Sequence, residues 1–154
     1  MKTETHGEGD LMLKPKIQRA QAHDDLSASS RVSTGEILGK YQHLVKTNSA
    51  ELIYQVLSAN QRLSPPHYHT KAEEGIYVLA GTVTIWQDGD DLVNLHKGDY
   101  IHFDPLTPHF GYNSAEEIAE MILLRIPATG DETHYLPDIF WDGLAAQKQA
   151  RKGG

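Results

Sequence analysis

The chain has no cysteine among its 154 residues. A protein without cysteine has no disulfide framework, no thiolate nucleophile and no thiolate metal ligand, so nitrogen and oxygen atoms must hold any metal it binds. Basic residues are also scarce, since 14 Lys and Arg stand against 21 Asp and Glu for a formal net charge of -7. A negatively charged surface argues against a nucleic-acid partner and against an anionic membrane.

Long apolar runs are missing as well. No stretch approaches the length of a transmembrane helix, and the polar, acidic first ten residues lack the apolar core of a secretory signal. The length is typical of one domain. We therefore expect a single-domain cytoplasmic protein with no membrane partner.

The chain divides into three parts by composition. Residues 1–35 are rich in Gly, Ser, Asp and Lys, which predicts a flexible N-terminal arm. Over residues 36–135, short β-branched and aromatic runs alternate with Gly, Asn and Asp, as expected of antiparallel strands in an all-β barrel or sandwich. Residues 136–154 carry a proline and an acidic residue early and basic residues late, which predicts a short C-terminal helix followed by a basic tail.

Histidine is what the chain has in quantity, and two of its histidines lie two residues apart. In an extended strand, alternate residues share a face, so His67 and His69 point the same way. A turn over residues 70–73 can return Glu74 on the neighbouring strand, and His109 supplies a third imidazole. Three neutral imidazoles and one carboxylate can converge on a divalent cation.

The value of this pattern lies in its combined spacing. A His-x-His pair by itself means little in a chain with nine histidines. A glutamate five positions after His69, with Gly81 seven positions beyond it, lowers the chance expectation to about a few in a thousand. The alternative is that both histidines lie on a solvated strand beside Glu73 and Glu74.

The same residues carry a family resemblance. The segment from His67 to Gly81 resembles the first motif of the cupin family, except that Asn60-Gln61 replaces its opening glycine. The segment from Gly98 to Asn113 resembles the second motif more loosely, because Asp104 and Leu106 stand where the family usually has proline and glycine. The two motifs lie within residues 66–113.

This resemblance to small single-domain cupins implies an all-β fold, a double-stranded β-helix or jelly-roll barrel. It also implies that His67, His69, Glu74 and His109 bind one divalent transition metal per chain. Iron, nickel, manganese, cobalt, copper and zinc all accept these ligand types, so the sequence does not choose among them. Small cupins commonly pair through barrel faces and exchanged arms, so the resemblance further suggests a homodimer.

Other candidate site residues are less constrained by spacing. We take Glu74 and His102 as the candidate catalytic acid or base residues. Asn113 shares its strand parity with His109 and is a candidate pocket residue, the alternative being a turn residue. Tyr77 and Phe103 are further pocket candidates, with burial in the barrel core as the alternative.

Three functions are compatible with such a site. The favoured one is a metal-dependent oxygenase or dioxygenase of a small phenolic or enolic substrate, similar to quercetinase-like cupins. The second is a non-redox cupin enzyme, namely an isomerase, lyase or polyketide cyclase, in which the metal acts as a Lewis acid. The third is a module that binds a small ligand without catalysis. A barrel fold by itself does not separate these functions.

Overall fold

The computed structural model describes residues 21–22, 25–31, 36–87 and 92–137. The predicted C-terminal helix and basic tail lie outside these residues, apart from positions 136 and 137. Most of the predicted N-terminal arm lies outside them too. Within the described residues, no helix is long and apolar enough to cross a membrane.

Every regular element of the described chain is a β-strand. The strands are β1 (Ser27–Arg31), β2 (Glu36–Lys46), β3 (Glu51–Leu57), β4 (His67–His69), β5 (Glu73–Ala80), β6 (Thr82–Gln87), β7 (Leu92–His96), β8 (Tyr100–Phe103), β9 (His109–Tyr112), β10 (Ala119–Ile126) and β11 (Thr133–Tyr135). They form a six-stranded sheet in the order β1-β2-β3-β10-β5-β8 and a five-stranded sheet in the order β11-β4-β9-β6-β7. All pairings are antiparallel, which confirms the predicted all-β barrel.

The core lies between the two sheets and follows from the two-residue period of the strands. In β10, Ala119, Met121 and Leu123 are buried, whereas the residues between them are only partly buried. Burying an aliphatic side chain of this size stabilises the fold by about 1.5–3 kcal/mol. The same inward alternation in the other strands completes the cluster, which includes Leu57, Ile76, Val78, Val83, Ile85, Leu95 and Phe103.

Part of the predicted arm is a strand. Residues Ser27–Arg31 form β1, which pairs with β2 at the edge of the larger sheet. Just before it, Leu26 is buried against Tyr54 and Val56 on the face of that sheet away from the main core. The apolar side chain of Leu26 therefore anchors a segment whose polar composition predicted an arm.

The glycine that ends the first motif sits at the connection between β5 and β6. Gly81 has a φ of 73°, in the left-handed region that favours glycine. A Cβ atom there would lie 2.5 Å from the carbonyl oxygen of Ile118, which is too close for any side chain. This glycine permits the tight turn that follows the strand carrying Glu74.

The predicted connection between the two halves of that motif is wrong in one respect. We expected Glu74 on the strand next to His67 and His69, but β4 and β5 lie in different sheets. Residues 70–72 cross between the sheets, and the backbone N–H groups of Lys71 and Ala72 donate to the Asp131 carboxylate instead of to a neighbouring strand. Glu74 thus faces the histidines across the barrel.

Candidate metal centre

Three histidines and one glutamate meet inside the barrel. His67 and His69 come from β4 and His109 from β9, whereas Glu74 comes from β5 in the facing sheet. All four side chains are buried, and one potential ligand atom from each lies within 4.8 Å of the others. The structure therefore brings together the full predicted ligand set.

Backbone carbonyls hold the outer nitrogen of two of these imidazoles. The Nδ1 atom of His67 lies 2.8 Å from the carbonyl oxygen of Pro65, and that of His109 lies 2.8 Å from the carbonyl oxygen of Thr107. A carbonyl oxygen only accepts, so both Nδ1 atoms must carry the proton. This leaves Nε2 as the inward nitrogen of each ring, which is the arrangement expected of metal-binding histidines.

His69 is held by a carboxylate. Its Nδ1 atom lies 2.7 Å from Oδ2 of Asp131, while Oδ1 accepts hydrogen bonds from the backbone N–H groups of Lys71, at 2.7 Å, and Ala72, at 2.9 Å. Burial would raise the pKa of Asp131, but these hydrogen bonds hold it below its usual value. Asp131 is therefore a charged acceptor that orients His69.

Sequence reasoning missed Asp131. It lies 62 residues after His69, outside both motifs, and no spacing rule connects the two positions. The segment that follows β10 brings Asp131 to the β4–β5 connection. There its carboxylate contacts the His69 imidazole and accepts hydrogen bonds from the backbone of Lys71 and Ala72.

Glu74 is ionised at the centre of the cluster. Burial would raise the pKa of this carboxyl group, but hydrogen bonds from His109 and His69 hold it well below its usual value. The distances are 3.2 Å from Oε1 to Nε2 of His109 and 2.9 Å from Oε2 to Nε2 of His69. Burial is the main cause that lowers the pKa of His67 to about 4, and the charge of His109 is the second. This imidazole is therefore neutral near pH 7.

This donor set fits a divalent transition metal. It offers three imidazole nitrogens and one carboxylate, with no sulfur, and its charge of −1 with neutral imidazoles partly offsets that of the cation. A cation there would displace the protons that bridge Glu74 to His69 and His109, as metal binding to histidine sites generally does.

A row of polar residues extends from Glu74 across the larger sheet. Arg125 of β10 lies directly opposite Glu74 of β5 on one side and Glu51 of β3 on the other. Its guanidinium donates to Oε2 of Glu51 at 3.0 Å and to Oε2 of Glu74 at 3.4 Å. Cross-strand neighbours of opposite charge stabilise such a pairing. Sequence analysis identified neither Arg125 nor Glu51.

The candidate ligands line an open cavity of about 240 Å³. Its wall combines polar and apolar side chains. The polar lining includes Tyr41, His43, Glu51, Gln55 and Arg125, and the apolar lining includes Ile53, Leu63, Ile76, Phe110 and Leu123. This combination suits a small organic molecule with an apolar body and a few polar groups.

None of the four further predicted site residues lines this cavity, and two of them are exposed. His102 is exposed on the opposite face of β8, where its Nε2 atom lies 3.1 Å from Glu73 and its Nδ1 atom 2.8 Å from the Tyr100 hydroxyl. Tyr77 is 43% exposed on β5. Both positions follow from strand alternation, because the inward positions beside them belong to Phe103 and Ile76. His102 therefore has no access to a substrate in the cavity.

The other two predicted pocket residues are buried outside the cavity, and one of them contacts a candidate ligand. The ring of Phe103 stacks on that of His109 with 4.0 Å between centroids and 6° between planes. The Asn113 amide donates to the carbonyl oxygens of Leu57 and Glu117 and accepts from the N–H of Ala115. Asn113 is thus the turn residue of the alternative interpretation.

The part of the chain that holds the cluster is similar to a known protein family. Residues 53–125 match the family model described as the cupin domain, and this range contains all four candidate ligands. Residues 53–125 therefore form a cupin domain, as the motifs predicted.

Individual relatives are more distant. Over 61 residues, 40% of this chain, it is 33% identical to quercetin 2,3-dioxygenase of Bacillus subtilis, and the match spans only 18% of that enzyme. A cupin-superfamily sugar phosphate isomerase from Silicibacter pomeroyi superposes with a TM-score of 0.65 at 18% identity, over 79% of this chain and 82% of that one. An uncharacterised double-stranded β-helix protein from Klebsiella pneumoniae superposes with a TM-score of 0.60 at 20% identity, over 78% and 100%. These structural likenesses establish the fold alone.

The contact between Asp131 and His69 predicts a measurable loss. Replacing Asp131 with asparagine keeps the size of the side chain but removes the charge facing Nδ1 of His69. We expect metal affinity to fall by about 10–100-fold, the usual effect of losing such a partner. Competition with a chromophoric chelator measures this change.

Glu132→Gln is the matched control for Asp131→Asn. The Glu132 side chain is 77% exposed and contacts His134 rather than a candidate ligand. This variant should bind metal like the wild type. Equal affinities for the two variants would show that Asp131 does not orient His69 for metal binding.

Proposed function

We propose that this protein is a metal-dependent cupin oxygenase that acts on a small phenolic or enolic substrate. One divalent transition metal per chain would be held by His67, His69, Glu74 and His109. The observation that carries the proposal is the convergence of these four buried side chains on an open cavity, with the outer nitrogen of each imidazole already held by an acceptor. A metal bound there supplies Lewis acidity and open coordination positions for an anionic oxygen and for dioxygen.

The cavity wall suits such a substrate. Ile53, Leu63 and Leu123 offer an apolar surface on which a flat ring can pack. Arg125 places a positive charge beside Glu74, where the ionised oxygen of a phenol or enol would lie. The likeness to quercetin 2,3-dioxygenase supports the same substrate chemistry, although it covers a small part of that enzyme.

The test begins with metal content and continues with oxygen consumption. Protein purified without added metal or an affinity column is analysed for moles of each metal per chain, and the metal-loaded protein is then given catechols, flavonols and 1,3-diketones in an oxygen electrode. We expect stoichiometric metal and substrate-dependent oxygen uptake. The Glu132→Gln variant serves as the active control. Absence of metal after reconstitution, or product formation under strict anaerobiosis, would contradict the oxygenase.

A non-redox enzyme is the second candidate, because an acid–base pair on the cavity wall would serve it as well. His43 and Glu51 form a close pair on the cavity wall, as a general acid–base residue and its partner would. An isomerase or lyase of this kind would work without dioxygen and would exchange a substrate hydrogen with solvent deuterium. Metal and ligand binding with neither oxygen uptake nor product would instead support a binding module.

A further inference from the structure

A second group of titratable residues lines the cavity apart from the candidate ligands. Nε2 of His43 lies 2.6 Å from Oε1 of Glu51, and Oε2 of Glu51 accepts from Arg125 at 3.0 Å. The three side chains come from β2, β3 and β10, and all three line the cavity. Neither cupin-like motif contains any of them, and His43 carried no spacing argument in the sequence.

The strand pairing explains how the pair forms. His43 lies opposite Ile53, so Glu51, two residues away on the same face of β3, is its diagonal neighbour. The β2–β3 register shifts between His43 and Val45, which makes Leu44 an extra residue in β2. A bulge of this kind redirects nearby side chains and is common beside active sites.

The contacts of Glu51 determine which nitrogen of His43 can act as a base. Paired with Arg125, the Glu51 carboxylate is an acceptor, so Nε2 of His43 is the nitrogen that donates to it. Nδ1 then carries the lone pair. A histidine whose far nitrogen is held by a partly buried carboxylate is oriented for proton transfer, and the carboxylate stabilises the imidazolium that results.

We propose that Nδ1 of His43 takes up the proton released when a phenolic or enolic substrate ionises in the cavity, with Glu51 as the residue that positions the ring. The substrate O–H bond breaks, an N–H bond forms on His43, and the electron pair stays on the substrate oxygen. The charged or titratable groups facing His43 are Tyr41 on its own strand, at 5.5 Å between ring centroids, Glu51 on β3 and, through Glu51, Arg125 on β10. This inference rests on the proposed function.

A count of released protons tests the assignment without requiring turnover. The full-length chain is loaded with zinc(II) and titrated anaerobically with catechol at pH 7.5, where phenols are ordinarily protonated and imidazoles ordinarily neutral. Calorimetry in two buffers with different enthalpies of ionisation gives the protons released to solvent per catechol bound. Absorbance of the ionised catechol shows independently that the probe has lost its proton.

The His43→Gln variant should release about one more proton to the buffer than the wild type, because glutamine cannot hold the proton that His43 retains. Glu51→Gln should shift the count in the same direction by a smaller fraction. His96→Gln, which changes an exposed histidine at the end of β7, should match the wild type. A purely structural role for His43 would leave the count unchanged.

The experiment can disprove the assignment of His43 and the proposed function separately. If His43→Gln binds ionised catechol with the wild-type proton count, the assignment of His43 is wrong while the proposed function stands. If the zinc-loaded wild type does not bind catechol in its ionised form, the proposed function is overturned and the assignment with it. Metal content, measured on every variant, separates both results from loss of the metal.

Discussion

Replacing His109 with alanine is expected to abolish stoichiometric metal binding. His109 is buried, its Nε2 atom faces Glu74 at 3.2 Å, and its ring is also a neighbour of His67 at 4.6 Å between centroids. Loss of one donor of four opens the site to water, and the effect should exceed the roughly 10–100-fold weakening that follows loss of a supporting partner. Elemental analysis of the purified variant, in moles of metal per chain, measures the result.

The variants His69→Ala and His96→Ala complete this experiment. His69→Ala removes another candidate ligand and should behave like His109→Ala. His96 is 67% exposed, near Asp99 and away from the cluster, so its replacement should leave metal content unchanged. Wild-type metal content in both His69→Ala and His109→Ala would refute the ligand set.

The second large effect is expected at Phe103. This side chain is 2% exposed, belongs to the main core and stacks on the ring of His109. Its replacement by alanine should lower the free energy of unfolding by about 3–5 kcal/mol, because a cavity replaces a large buried ring. It should also weaken metal binding, because the imidazole of His109 loses the aromatic ring against which it stacks. Urea denaturation and chelator competition measure the two losses.

Tyr77→Ala provides the comparison. Both positions lie on strands of the same sheet and both were predicted to line the pocket, but Tyr77 is 43% exposed. Truncation of a ring on the outer surface should cost less than about 1 kcal/mol and leave metal affinity unchanged. If the two variants lose equal stability, Phe103 does not have the role in the core that the structure assigns to it.

Local sequence pattern was enough to predict the architecture and the cluster. Short β-branched and aromatic runs between Gly, Asn and Asp predicted an all-β barrel or sandwich, and the resemblance to cupins implied the barrel. The spacing of His67, His69 and Glu74 predicted which side chains converge. Such signals depend on the intrinsic geometry of the strand and survive in any fold that buries one face. The homodimer and the cytoplasmic location remain predictions.

Strand alternation did not predict which side chains line the cavity where only tertiary contacts decide which face of the strand points inward. His102 and Phe103 are neighbours in β8, and no local signal showed which of them points inward. Asn113 has the parity expected of a pocket residue, yet its amide binds the backbone of Leu57 and Glu117. A polar side chain in a turn takes whichever partners the surrounding backbone offers, and these are known only after folding.

By itself, the amino-acid sequence determined the donor chemistry of this protein. The absence of cysteine, the His-x-His spacing and the following glutamate restricted the centre to imidazole nitrogens and a carboxylate. The tertiary structure alone decided what surrounds those donors, namely Asp131 behind His69 and the row of His43, Glu51 and Arg125 along the wall. These residues come from segments far apart in the chain, and strand register, which is set by packing of the whole barrel, is what brings them together.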